Sequence, residues 1–174
     1  MELTGKRIAI LAEDNYQELE LWYPLLRLRE EGAQVTVVGR ETGRVHTSKH
    51  GYEVTADIAA NEARSQDYDA IIIPGGYAPD LMRRDPAMVR LVRDAYDQGK
   101  VVAAICHAAW MLASADIVRG KRLTSFYSIK DDLVNAGATW VDEPAFRDGN
   151  IVWGRVVEDI PAYVRELMMA LTSE

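Results

Sequence analysis

A chain of 174 residues suits one domain and is long enough to bury a full core without disulfides or metals. With 48% hydrophobic and 27% charged residues it reads as globular, and its net charge of −7 argues against nucleic acid as a partner, because such footprints are basic. The first apolar run is short and followed at once by acidic residues, unlike a signal peptide; no stretch reaches membrane-spanning length, and the single cysteine has no mate within the chain. These features point to the reducing cytoplasm and away from a membrane.

In chain order, Arg7 to Ala12 (RIAILA) is the first continuous apolar run of strand length. Glu18 to Glu31 follows as a helix, with Leu19, Trp22, Tyr23, Leu26 and Leu25 at helical spacing and Gly32 as its stop. Gln34 to Gly39 is a second apolar strand, and Thr42 to Thr55 alternates apolar and polar residues around glycines, which predicts a short hairpin. Ala70 to Pro74 is a third strand. Pro86 opens a helix whose stripe is Met88, Leu91, Val92 and Tyr96, ended by Gly99, and Val101 to Ile105 is a fourth strand. Phe146 to Gly154 carries the turn signal Asp148-Gly149-Asn150 between two strands, and a last helix is expected from Glu158 to Leu171.

Strands that are apolar on both faces, alternating with helices, predict a mainly parallel sheet covered on both sides: a doubly wound α/β sandwich. With no repeat, linker or low-complexity stretch, residues 1–174 are read as one domain.

The segment GKVVAAICHAAWMLA places Cys106 at a strand-to-helix turn, on the carboxyl edge of a parallel strand, where open α/β sheets bind ligands. Free cysteines are usually small buried hydrophobes, but this turn pushes a side chain out of the core, as in a nucleophile elbow. The N–H groups of the following helix favour a thiolate, so a lowered Cys106 pKa is expected. His107 is adjacent, although neighbours on a turn point in different directions. Pro74-Gly75-Gly76 ends the preceding strand, where glycine N–H groups could line an oxyanion site. His46, His50 and Cys106 are not at metal-ligand spacing, so no metal or other cofactor is expected. Lys49-His50-Gly51 reads as an exposed turn or a subunit contact.

Several stretches, running in order along nearly the whole chain, carry a resemblance. They include Glu20-Leu21-Trp22-Tyr23-Pro24, Lys49-His50-Gly51-Tyr52, the run from Ile73 to Asp80 (IPGGYAPD), Ala104-Ile105-Cys106-His107 and Ile129-Lys130-Asp131-Asp132-Leu133. On these the chain resembles the PfpI intracellular protease family, within the superfamily named for the human parkinsonism-associated protein. The resemblance implies a flavodoxin-like three-layer fold, a nucleophile-elbow Cys106 with His107 beside it, and an oxyanion site at Gly76 and the N–H of His107. It implies a homo-oligomer, a dimer or a hexameric ring of dimers. In the hexameric proteases a carboxylate reaches the histidine from a neighbouring subunit, and the matching position is Asp80. The family includes peptidases, cofactor-free glyoxalases, deglycases and oxidative-stress proteins, so a small aldehyde or peptide substrate is implied.

Departures from the family pattern fall near the expected pocket. The usual glutamate from the loop after the first strand aligns with Gln17, which can donate a hydrogen bond but cannot carry a proton. Cys106-His107 is followed by Ala108-Ala109 instead of Gly-Pro. Ser-Tyr-Pro becomes Ser125-Phe126-Tyr127, and Thr-Ser-Arg becomes Trp153-Gly154-Arg155. A pocket with Phe126 and Tyr127 is expected to be more apolar than usual. The favoured reading is a stress-linked cysteine hydrolase with peptidase-like machinery. The alternatives are an oxidation-sensing protective protein with little turnover, a glyoxalase-like enzyme, which Gln17 disfavours, and a binding or structural oligomer with an unreactive thiol.

Overall fold

The apolar runs become the middle of a seven-stranded sheet. The computed structural model describes residues 1–173. In chain order the elements are β1 (Arg7–Leu11), α1 (Glu18–Glu30), β2 (Gln34–Gly39), β3 (Val45–Thr47), β4 (Glu53–Thr55), β5 (Ile58–Ala59), β6 (Ala70–Ile73), α2 (Ala78–Met82) and α3 (Pro86–Asp97). The rest are β7 (Val101–Ile105), α4 (Ala109–Ser114), β8 (Arg122–Leu123), α5 (Lys130–Asn135), β9 (Thr139–Trp140), β10 (Ala145–Asp148), β11 (Ile151–Gly154) and α6 (Ile160–Thr172).

The sheet order is β10-β11-β7-β6-β1-β2-β5, parallel throughout except for the hairpin of β10 on β11. Ile10 pairs with Ile72, Ile72 with Ala103 and Ala103 with Val152, so one row of residues crosses the sheet centre, every member fully buried. A buried aliphatic side chain of this size stabilises the fold by about 1.5–3 kcal/mol. Helices α1 and α6 pack together on one side of the sheet, while α2 and α3 pack on α4 on the other. β1 runs out to β2 on one side, and the chain then crosses back to β6 on the other. The carboxyl ends of β1 and β6 therefore flank the switch point of the topology, where such sheets open a crevice.

The expected hairpins form, β3 on β4 and β10 on β11. Gly32 and Gly99 take φ of +89° and +72°, the left-handed geometry that ends a helix with little steric cost at glycine. A second, two-stranded parallel sheet of β8 and β9 has no counterpart in the sequence reading.

The predicted inner face of α1 needs correction. Leu21, Leu25 and Leu28 are buried, whereas Leu19, Tyr23 and Leu26 are 54%, 45% and 57% exposed. The buried face begins with Glu20, fully enclosed, so the true core stripe of Leu21, Pro24, Leu25 and Leu28 carries a carboxylate at its head. Periodicity alone selects the wrong side when a functional charge sits in the core stripe.

Candidate active site

β7 delivers Cys106 into a 3-10 turn, Cys106–Ala108, that leads into α4. Cys106 has φ of +63°, an uncommon conformation for a residue with a side chain and one that marks a constrained, functional turn. The strain aims Sγ away from the sheet, into a cavity of about 490 Å³ at the carboxyl ends of β1, β6 and β7. Cys106 itself is only 8% exposed.

The first turn of α1 supplies the carboxylate beside Cys106, and it is Glu20. Its Oε2 accepts a 2.7 Å hydrogen bond from the Gly75 N–H, and its Oε1 is buried with no hydrogen-bond partner among the described residues. Burial pushes the Glu20 pKa up to about 7, outweighing the Gly75 N–H, the Cys106 thiol and the Lys49 charge, which pull it down. Gln17 is a different kind of residue. Its Oε1 accepts from the N–H groups of Leu19 at 2.7 Å and Glu20 at 3.0 Å, capping the first turn of α1. Gln17 lines the pocket, but its side chain is committed to holding the turn that carries Glu20. The expectation that a proton-carrying group is missing is therefore corrected: one helical turn beyond Gln17, Glu20 points inward. Glu18 pairs outward with His50 at 2.5 Å.

The cysteine pKa is the second correction. Burial and the Glu20 charge push the Cys106 thiol well up, against the backbone N–H groups of His107 and Gly76, which favour the thiolate. The sequence placed the helix N–H groups but could not show the enclosure or the facing carboxyl. The two acids share one site, so with Glu20 protonated its repulsion of the thiolate is gone, and a protonated carboxyl can donate to sulfur.

His107 comes back to the cysteine despite its adjacency: Nδ1 lies 3.4 Å from Sγ. Its ring stacks on Phe126 at 4.7 Å and 23°, and Nε2 lies 3.2 Å from Ser128 Oγ. Burial, helped by the Lys49 charge, lowers the His107 pKa and keeps the ring neutral near pH 7. Because a hydroxyl can donate or accept, Ser128 supports either tautomer, so the ring can accept the Cys106 proton or donate one to a thiolate.

The glycines work by absence of side chains. A Cβ at Gly75 would run into Glu20 Oε2 and lie 2.8 Å from Cys106 Cβ. Gly76, at φ of +77°, pairs with Tyr16 and brings its backbone against Asn15 and Gln17. Among the other expected residues, Phe126 lines the pocket. Tyr127 is 73% exposed, packs edge-on against Trp140 and lies outside it. Asp80 also lies outside, paired with Arg84 at 2.5 Å, and within one chain it does not approach His107 as a partner. Ala108 and Ala109 are buried in the turn behind the site, and Arg155 is tied to Asp142 and Asp159. In place of the expected Trp153-Gly154-Arg155, the next residues, Val156 and Val157, form the apolar wall. The pocket's charged residues Glu20, Lys49 and Glu158 were not among the expected site residues, nor were Asn15, Tyr77 and Trp110.

Away from the pocket, Glu13, Asp14 and His46 gather with ligand-type atoms within 4.8 Å of one another. Arg40 pairs with Glu13 and Arg44 with Asp14, so the cluster reads as an ion-pair network under the β3–β4 hairpin.

A family model described as the DJ-1/PfpI family matches residues 6–170. The chain belongs to the DJ-1/PfpI family. It is 43% identical over 165 residues to a deglycase of Pyrococcus abyssi, covering 95% of this chain and 99% of that one. It is 36% identical over 169 residues to general stress protein 18 of Bacillus subtilis, covering 96% and 98%. Among solved structures it resembles a two-domain protein with DJ-1/ThiJ/PfpI-like and ferritin-like domains from Anabaena variabilis, with a TM-score of 0.94 and 38% identity; the match covers 95% of this chain and 48% of that protein. The mostly parallel sheet with its elbow cysteine is the fold of this DJ-1/PfpI family. No helix among the described residues is long and apolar enough to cross a membrane.

Proposed function

We propose that this chain is a cysteine-dependent enzyme acting on small carbonyl electrophiles. The observation that carries the reading is Glu20, a fully buried carboxyl held by the Gly75 N–H in the pocket of the Cys106 elbow, where burial raises its pKa to about 7. A group that titrates near the working pH can both give and take a proton, which the aligned glutamine could not. In the proposed cycle His107 Nδ1 accepts the Cys106 proton, and Sγ adds to the carbonyl carbon. The C=O π pair moves to oxygen, which takes the Glu20 proton, leaving a hemithioacetal. Ionised Glu20 is then the base for the next proton transfer, and the N–H groups of Gly76 and His107 offset negative charge on sulfur or oxygen. This restores the glyoxalase-like reading to equal standing with hydrolysis of carbonyl adducts. The deglycase name of the Pyrococcus abyssi relative and the stress-protein name of the Bacillus subtilis relative support the same class of substrate and a protective role.

The test is turnover of methylglyoxal and of a methylglyoxal-derived thiol adduct, followed by proton NMR. Wild type is expected to consume at least one of them. Cys106→Ser is expected to abolish the reaction, and Glu20→Gln to lower it by roughly 10²-fold or more. Activity retained by Cys106→Ser eliminates the mechanism.

We further propose that the chain acts as a homo-oligomer. The support is the apolar stripe Leu19, Tyr23 and Leu26 left uncovered on α1, together with Asp80, which can serve His107 only from another subunit.

A further inference from the structure

The pocket carries two opposite charges that the mechanism above does not use. Lys49 and Glu158 both line it, together with Cys106 and His107 from the chain segment after β7. Lys49 has neither a hydrogen-bond nor an ion-pair partner for its ammonium among the described residues, and Glu158 has none for its carboxylate. The Glu18 carboxylate is engaged by His50 at 2.5 Å, and the acidic group that feels the Lys49 charge is the buried Glu20. Of the remaining polar groups of the wall, Asn15 and Gln17 are uncharged, and Glu20 is uncharged while it is protonated.

Lys49 is also held in place. Its backbone N–H donates to the Tyr16 carbonyl at 3.0 Å, and Tyr16 in turn pairs with Gly76 beside the cysteine. The turn around it is closed by Ser48 Oγ, which accepts from the N–H groups of His50 and Tyr52. The Tyr16 hydroxyl donates to the Tyr52 carbonyl at 2.6 Å. A lysine on a fixed turn, free of internal partners and lining the same pocket as a reactive sulfur, is placed to receive an anion from the ligand. Its charge is already felt at Glu20 and at His107.

We propose that Lys49 makes this pocket selective for electrophiles that carry a single carboxylate, seated against the Lys49 ammonium with the reacting carbon over Cys106 Sγ. Glu158, in the same pocket, disfavours a second anionic group on the ligand. An α-oxo acid or a carboxylated aldehyde fits this pattern better than a neutral dicarbonyl. The inference rests on the reading of Cys106 as a nucleophile and deepens it by naming a substrate class.

Iodoacetate and iodoacetamide test it without any turnover assay. They are close in size and differ in charge. In both, Sγ forms a bond to the methylene carbon as iodide leaves with the C–I bonding pair. Both need the same thiolate, so any change in Cys106 acidity cancels in the ratio of their rates. Relative to a free small thiol, wild type is expected to favour iodoacetate over iodoacetamide by roughly three- to tenfold, falling as salt is added. Lys49→Met is expected to bring the ratio to the free-thiol value or below, and Glu158→Gln to raise it above wild type. Both side chains sit at exposed positions, so the variants are expected to fold. Labelling by both reagents at a ratio that Lys49→Met leaves unchanged overturns this inference alone. No labelling of Cys106 by either reagent in folded protein overturns the nucleophile reading and this inference with it.

Discussion

Glu20 reaches Cys106 across a position that has no side chain. Gly75 donates its N–H to Glu20 Oε2 at 2.7 Å, and a Cβ there would collide with that oxygen and lie 2.8 Å from Cys106 Cβ. Gly75→Ala is therefore expected to push the carboxyl and the sulfur apart. Overpacking of this kind costs about 1–3 kcal/mol. The alkylation rate of Cys106 and the loss of stability in urea should both register it. A variant that keeps wild-type reactivity and stability would mean that the two groups do not depend on this contact.

Stability should depend on pH through two buried carboxyls acting in opposite directions. Glu20 has a folded pKa of about 7, above its ordinary 4.5. Its contribution is fully present below pH 4.5 and is lost as pH rises toward 7. Glu13 runs the other way. Burial would raise its pKa, but the His46 hydrogen bond, the Asp14 N–H and the charges of His46 and Arg40 win and hold it at about 2. Its contribution is present above pH 4.5 and is lost as pH falls toward 2. Glu20→Gln is expected to gain roughly 3 kcal/mol on wild type between pH 4.5 and pH 8, read from urea unfolding at each pH. A constant difference between the two proteins across that range would show that Glu20 does not titrate in it.

Ser128 is expected to matter through His107, since its hydroxyl lies 3.2 Å from Nε2 and the ring supplies Nδ1 to the sulfur. Ser128→Ala leaves Nε2 without this partner, which typically costs about 1 kcal/mol. Cys106 alkylation should slow by several-fold with a shifted pH profile, while His107→Ala should slow it further. Equal rates in wild type and Ser128→Ala would remove the hydroxyl from the proton path.

Mild peroxide is expected to add oxygen at Cys106 and stop at the sulfinic level. The Gly76 and His107 N–H groups and a protonated Glu20 can all donate to an oxidised sulfur. Intact mass should show two added oxygen atoms, absent in Cys106→Ser. Glu20→Gln should accumulate less of that species.

Self-association should go through α1. Leu26→Glu places a charge in the uncovered stripe at a position 57% exposed in the single chain, so the fold should survive while the assembly falls apart. Light scattering would report a lower mass for the variant than for wild type. A wild-type chain that is monomeric at micromolar concentration would remove both the interface and any role for Asp80 in trans.

Much of the scaffold was legible in the residues themselves. Continuous apolar runs fixed the four central strands to within a residue, because a strand buried on both faces leaves no polar alternation to misread. Gly32, Gly99 and Pro86 marked helix ends through their backbone preferences, and Cys106 followed from its place between a strand and a helix. What failed was facing. The inner side of α1 was misassigned because its core stripe opens with a carboxylate, and the same event hid Glu20 as the partner of Cys106 while Gln17 stood in its aligned place.

The sequence by itself determined the alternation of elements, the sheet edge that carries the chemistry, and the family. These rest on local propensity and on order along the chain. Only the tertiary structure decided which side chains converge. Glu20, Gly76, His107 and Glu158 belong to different segments, and their common pocket exists because parallel strands end at one edge, with Lys49 added from the β3–β4 turn. The proton affinities were decided there too: enclosure by the packed layers, rather than residue type, lifts Glu20 toward neutral pH and holds His107 uncharged.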